Sequence, residues 1–236
     1  MVSPSDIASM IDHALLHPTL TDAELRAGCE LAKKYQTASV CIKPYAVKLA
    51  AELLEGSGVL VGTVIGFPHG NSAVAVKVFE TEQACRDGAV EIDMVVNVGK
   101  VLGEDWNYVR DEIRAIHDAC VKHGAILKVI FENDYLPQDK YKIRLCKICS
   151  EVGAEYVKTS TGFGFVRDAD GKYSAGGATE ADLKLMRRHS PSTVAVKASG
   201  GLRSLDDILR ARELGVTRVG ASATETIMLD AQKRLV

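Results

Sequence analysis

The segment Thr193-Val-Ala-Val-Lys-Ala-Ser-Gly-Gly-Leu-Arg-Ser-Leu-Asp-Asp-Ile-Leu-Arg-Ala-Arg-Glu-Leu-Gly-Val-Thr-Arg-Val-Gly-Ala221 holds one complete structural repeat. Its first run, Thr193 to Ala198, is apolar and β-branched apart from one lysine, the pattern of a strand covered on both faces. Ser204 precedes Asp207 by three residues, the spacing of a capping box, and helical periodicity follows over Leu205 to Leu214. Gly215 closes that helix, and a second strand runs from Thr217 to Ala221. Two strands joined through a helix in this way lie parallel, because a short hairpin cannot connect them.

The same unit recurs along the chain. Further strand-like runs span Ser9 to Leu15, Thr37 to Ile42, Val59 to Ile65, Val90 to Val96, Ala125 to Phe131 and Ala154 to Thr159. Helical periodicity fills Asp22 to Tyr35, Ala73 to Arg86 and Trp106 to His123, with Trp106 starting a helix and packing against it. Thr21 with Glu24 and Thr179 with Asp182 repeat the capping-box spacing, and Gly88, Gly124 and Gly153 each stand just ahead of a strand. Eight such units predict a (β/α)8 TIM barrel occupying residues 1–236 as a single domain; an open doubly wound sheet is the rival architecture. No linker or low-complexity segment marks a second domain.

Composition narrows the function. Of 236 residues, 29 are Lys or Arg and 31 Asp or Glu, so no basic stripe is available for nucleic acid. No apolar run approaches the ~18 residues of a membrane span, and Met1 to Met10 has no secretion-signal pattern, which predicts a cytoplasmic protein. The pair Cys146 and Cys149 lies in a helical pattern and reads as core rather than as a redox or zinc motif. The six histidines have no metal-ligand spacing, so no metal is expected. Gly162-x-Gly164 lacks the third glycine of a dinucleotide fingerprint, which stands at Arg167, and no cofactor is expected. His69 reads as a surface histidine in the loop Gly66-Phe-Pro-His-Gly-Asn71.

Charges sit where buried strands should have none. Tyr156-Val-Lys-Thr-Ser-Thr-Gly162 and Ala195-Val-Lys-Ala-Ser-Gly-Gly201 are near-copies that place Lys158 and Lys197 at the C-terminal ends of the sixth and seventh strands. Alternation turns both lysines inward, together with Asp93 of Ile92-Asp-Met-Val-Val-Asn97, Asp12, Lys128 and Cys41. One reading is a buried ion-pair network with no other role. Two lysines in duplicated contexts at the end where barrels carry their chemistry point instead to catalysis. Crowded and desolvated amines lose their protons more readily, and a neutral amine can form a Schiff base with a carbonyl substrate. Symmetric spacing leaves open which lysine is the nucleophile. Glycine turns follow both lysines, at Gly162 and at Gly200-Gly201, and Gly220-Ala-Ser222 precedes the last helix. Clustered there, they form a candidate phosphate grip.

These segments, with Ile11-Asp-His-Ala14, Val40-Cys-Ile-Lys-Pro44 and Gly66-Phe-Pro-His-Gly70, resemble the signature segments of the deoxyribose-phosphate aldolase family from the first strand through Ser222. The resemblance implies a metal-independent class I aldolase that cleaves 2-deoxy-D-ribose 5-phosphate to glyceraldehyde 3-phosphate and acetaldehyde. It makes Lys158 the Schiff-base lysine, Lys197 its perturbing neighbour, Asp93 the proton-transfer carboxylate and Asp12 a support of that relay. It puts the phosphate on Gly162, Gly200, Gly201 and Ser222, with Cys41 lining the pocket. Partners are then the sugar phosphate, its aldehyde products and further copies of the chain, as a dimer or tetramer. Two departures stand out. Phe163 occupies a place where some members carry a lysine, so one phosphate contact is missing. The sequence ends at Val236, without the tyrosine-ended tail of some members, which leaves enamine protonation to Asp93 and a water. Another Schiff-base sugar-phosphate lyase, transaldolase-like, and a catalytically inert sugar-phosphate sensor are the alternative readings.

Overall fold

A computed structural model of the chain describes residues 2–167 and 169–235; Met1 and Val236, at the ends of the sequence, lie outside them. Eight parallel strands close into a barrel: β1 (Ile11–Leu15), β2 (Ser39–Ile42), β3 (Leu60–Ile65), β4 (Glu91–Val95), β5 (Ile126–Ile130), β6 (Tyr156–Lys158), β7 (Ala195–Ser199) and β8 (Arg218–Ala221). Each strand pairs with the next in sequence and β8 returns to β1, so the open-sheet alternative fails. All eight expected runs become strands, a residue or more shorter at most of their ends.

Alternation along the strands builds two layers. Ile92, Met94, Leu127, Val129, Val157, Val196 and Val219 face outward and are fully buried under the helices. The helix Trp106–Lys122 answers with Val109, Ile113, Ile116 and Cys120, one apolar stripe at helical spacing. Thr21 and Ser204 form reciprocal capping boxes with Glu24 and Asp207. At Thr179 the backbone N–H of the cap is left out: Asp182 N donates to Thr179 Oγ1 at 3.2 Å, and the Asp182 carboxylate accepts from Thr179 Oγ1 at 3.0 Å and from Lys142 Nζ at 2.6 Å. Trp106 packs against Tyr141, their ring centroids 6.4 Å apart. Cys146 and Cys149 are free thiols buried in the helix Asp139–Val152. Elements that escaped the sequence pattern include the helices Pro4–Ala8, Val47–Leu54 and Val98–Leu102 and a short exposed ribbon, Val166–Arg167 against Tyr173–Ser174, in the connection after β6. Among the described residues, no helix is long and apolar enough to cross a membrane.

The loop after β3 is anchored from below. Lys77 and Glu112 are wholly buried, with Nζ 2.7 Å from Oε1, and Lys77 also donates to the carbonyls of Gly70 (2.6 Å) and Val95 (2.7 Å). Glu112 Oε2 accepts from Asn97 N at 2.9 Å, so one pair ties the Gly66–Gly70 loop to the end of β4. Gly66 has φ 61°, and a Cβ there would fall 2.6 Å from Lys77 Cε, so the side chain of Lys77 runs through space that only glycine leaves open. Lys77→Met should cost about 3–5 kcal/mol, the usual penalty for orphaning a buried charge. Urea unfolding checks this, and Lys77→Met with Glu112→Leu should recover much of the loss.

Candidate active site

Register brings the charges together. Lys158 pairs across with Lys197, and Asp93 lies beside Lys128 in the adjoining strands. Lys158 Nζ and Lys197 Nζ both donate to the same oxygen, Asp93 Oδ2, at 2.7 Å each. Lys197 also bonds Asp12 Oδ2. Beneath them Lys128 Nζ stands 3.0 Å from Asp12 Oδ2, 2.5 Å from Glu91 Oε2 and 3.4 Å from Asp93 Oδ1. Arg218 closes the layer through Asp12 Oδ1 and through Glu91 Oε1 at 2.6 Å, while Ser39 Oγ donates to Asp12 Oδ1 at 2.8 Å. The lysines and the carboxylates of this layer are each no more than 2 % exposed.

The charges do not balance. Four cationic side chains (Lys128, Lys158, Lys197, Arg218) meet three carboxylates (Asp12, Glu91, Asp93), and a fully ionised layer would bury one unmatched positive charge. Such a charge is expensive, and losing a proton from one lysine removes it. Lys158 is the natural donor because Asp93 is its single carboxylate partner among the described residues, whereas Lys197 has two and Lys128 three. Burial, helped by the neighbouring Lys197 cation, holds Lys158 below the ordinary lysine value against the pull of Asp93. Burial also works against the charged form of Lys197, but Asp12 and Asp93 outweigh it and hold that ammonium above its usual value. Against the same desolvation, the surrounding cations, Lys128 foremost, keep Asp93 and Asp12 below the usual carboxylate range. The symmetry of the two lysine segments is thus broken by Asp12, which arrives from β1.

Above the layer opens a cavity of about 670 Å³ at the C-terminal mouth of the barrel. Lys158, Lys197 and Cys41 line it, as do Gly162, Gly200, Gly201 and Ser222, so seven of the nine nominated residues meet in one space. Asp93 and Asp12 lie under the lysines rather than in the lining, and Asp93 Oδ2 is already shared by two ammonium positions. Asp93 Oδ1 has no hydrogen-bond partner among the described residues. Burial, reinforced by Asp93, pushes the Cys41 thiol up to about 11.

The glycine turns at this end take left-handed backbone. Gly162 and Gly200 have φ 86° and 90°, and a Cβ on Gly200 would sit 2.9 Å from Gly177 Cα. Ser222 stands just before the helix Thr224–Arg234, whose N-terminus opens toward the same end. Phe163 turns its ring edge-on to Phe67, 5.5 Å between centroids, and presents an apolar wall there.

Several contributors went unassigned in the sequence. Glu91 and Arg218 stand on the inward face of their strands, two residues before Asp93 and Gly220, but only barrel closure brings them together. Ser199, two residues after Lys197, also lines the cavity and was legible by the same alternation. Glu132, just past β5 with φ 58°, accepts from Thr161 N at 3.0 Å and from Thr161 Oγ1, which shapes the loop after β6. His13 is buried against Thr224 Oγ1 at 2.8 Å and held down near 4 by that burial, hence neutral. His69 is exposed and outside the cavity lining. Among the described residues, no group of three or more His, Cys, Asp or Glu side chains could hold a metal ion.

A family model described as DeoC/LacD family aldolase matches residues 7–222. The chain is 50% identical over 230 residues to a deoxyribose-phosphate aldolase of Rhodopirellula baltica, covering 98% of this chain and 91% of that one. A deoxyribose-phosphate aldolase of Clostridium perfringens is 45% identical over 221 residues, 94% of this chain and 93% of its own. Among solved structures, the tetrameric deoxyribose phosphate aldolase from Aeropyrum pernix superposes with a TM-score of 0.86 at 31% identity, covering 99% of this chain and 94% of that one.

Proposed function

The chain belongs to the DeoC/LacD family of aldolases, and on that premise we propose that it catalyses the deoxyribose-phosphate aldolase reaction through a Schiff base on Lys158. The observation that carries this reading is the surplus cation of the buried layer: of its lysines, Lys158 has the fewest carboxylate partners and also faces the cavity, which favours the neutral amine there. That amine adds to the C1 aldehyde of open-chain 2-deoxy-D-ribose 5-phosphate, and loss of water gives an iminium. The C3 hydroxyl then loses its proton as its oxygen forms a carbonyl. The electrons of the C2–C3 bond pass to the iminium, and glyceraldehyde 3-phosphate separates from an enamine. Protonation of the enamine carbon and hydrolysis release acetaldehyde and regenerate the amine.

Lys197 is the cavity-facing partner of Asp93 and Asp12, so protons relay through its ammonium and a water rather than directly to the carboxylate beneath. Gly162, Gly200, Gly201 and Ser222 hold the phosphate, and that remote grip sets C1 against the amine. The Phe163 wall leaves this grip to backbone amides, Ser222 and the helix terminus. The chain is further read as cytoplasmic and as a homo-oligomer, a dimer or tetramer; the tetrameric Aeropyrum relative supports an oligomer.

The substrate assignment is tested with a panel of sugar phosphates, with and without EDTA. Rapid chelator-insensitive release of acetaldehyde from 2-deoxyribose 5-phosphate supports it; preference for a ketose phosphate would move the chain to transaldolase-like chemistry. Within that assay, Ser222→Asp should raise KM for the phosphorylated sugar at least about tenfold, because opposed like charges cost more than 1 kcal/mol. Its reaction with unphosphorylated acetaldehyde should change little. Equal effects on both would place the phosphate elsewhere.

A further inference from the structure

We propose that Lys128, which the cavity does not reach, is a positioning residue for the reaction: by engaging Asp93 and Asp12 from beneath, it frees Lys158 to act as an amine. The inference rests on the Schiff-base reading above. Its basis is where Lys128 stands. It is 1 % exposed, lies in register beside Asp93, and holds Asp12, Glu91 and Asp93 within 3.4 Å of one ammonium. It is one of four cations among three carboxylates. Remove it, and the three cations left, Lys158 among them, match the three carboxylates, so Lys158 can keep its proton on Asp93 Oδ2, which it shares with Lys197.

The surroundings contain few other charges that could take over. Lys158 faces Asp93 from β4, Lys197 from β7, the neutral Cys41 from β2 and Glu132 beyond β5. Lys128 faces Asp12 from β1, Cys41 from β2, Glu91 and Asp93 from β4, the Tyr156 ring from β6, and Arg218 and Lys197 from the far wall. Glu132 is engaged by Thr161, and burial favours its neutral form. The layer therefore behaves as one set of charges whose total decides the state of its least-partnered member.

That logic gives two variants opposite signs. Lys128→Met removes a cation, and the acid limb of kcat/KM for 2-deoxyribose 5-phosphate cleavage should move to higher pH by about one unit or more. Glu91→Gln removes a carboxylate while keeping size and hydrogen bonding, and the same limb should move to lower pH. Lys128→Arg should restore the wild-type limb. Borohydride trapping with acetaldehyde, followed across pH, should shift in parallel. A purely structural role would lower the rate at every pH and leave the limb in place; that result in either folded variant overturns the proposal. Absence of any trapped adduct in the wild type would instead defeat the Schiff-base reading itself.

Discussion

Replacing Lys158 with leucine is expected to remove turnover and the borohydride-trapped adduct together, with a fall in kcat/KM of at least about 10³-fold, the scale seen when a covalent nucleophile is deleted. The reason is positional. Lys158 and Lys197 are the two lysines of the buried layer that line the cavity, and Lys158 has one carboxylate where Lys197 has two. Folding should survive the change. Leucine is apolar, and its arrival leaves three cations against three carboxylates, so the layer loses its unmatched charge. Unfolding midpoints at or above wild type would agree with that account. A variant that still traps substrate would reassign the nucleophile, most directly to Lys197.

Lys197→Met should act in two ways at once. It removes the ammonium through which Asp93 and Asp12 reach the cavity, and loss of such a proton-transfer group costs about 10²–10⁴-fold. It also leaves Asp93 Oδ2 to Lys158 alone, so Lys158 keeps its proton to higher pH. The sign follows from the active species: the neutral amine reacts, and activity rises as pH climbs through the Lys158 value, which burial and Lys197 together hold below the ordinary lysine. Removing Lys197 moves that rise upward. A pH profile of kcat/KM separates the two effects, since the relay loss persists on the alkaline plateau and the charge effect fades there. A profile that only drops in height would limit Lys197 to proton transfer.

Much of this was legible because strand alternation has a period of two. Once Tyr156 to Gly162 and Ala195 to Gly201 are read as neighbouring strands, Lys158 and Lys197 must face inward near one mouth, and the observed register places them side by side. Asp93 and Asp12 follow by the same count. What a linear pattern does not contain is closure. Arg218 and Glu91 are 127 positions apart in the chain and meet across the barrel, so neither strand alone announces the fourth cation or the third carboxylate. Without that count the two lysines look equivalent, and only the family resemblance ranked them. The Lys77–Glu112 pair, two residues 35 positions apart on different helices, escaped for a related reason: on a helix, one buried charge reads as an ordinary polar position. The ribbon after β6 is two exposed residues on each side, too short for any periodicity to show.

The central claim is that one of these two amines is uncharged and reactive at neutral pH. Acetaldehyde and borohydride at neutral pH, followed by peptide mass spectrometry of the wild-type protein, test it directly. The account predicts a single ethyl group on Lys158 and none on Lys197 or Lys128. An ethyl group on Lys197 instead, or an unmodified barrel, would contradict it.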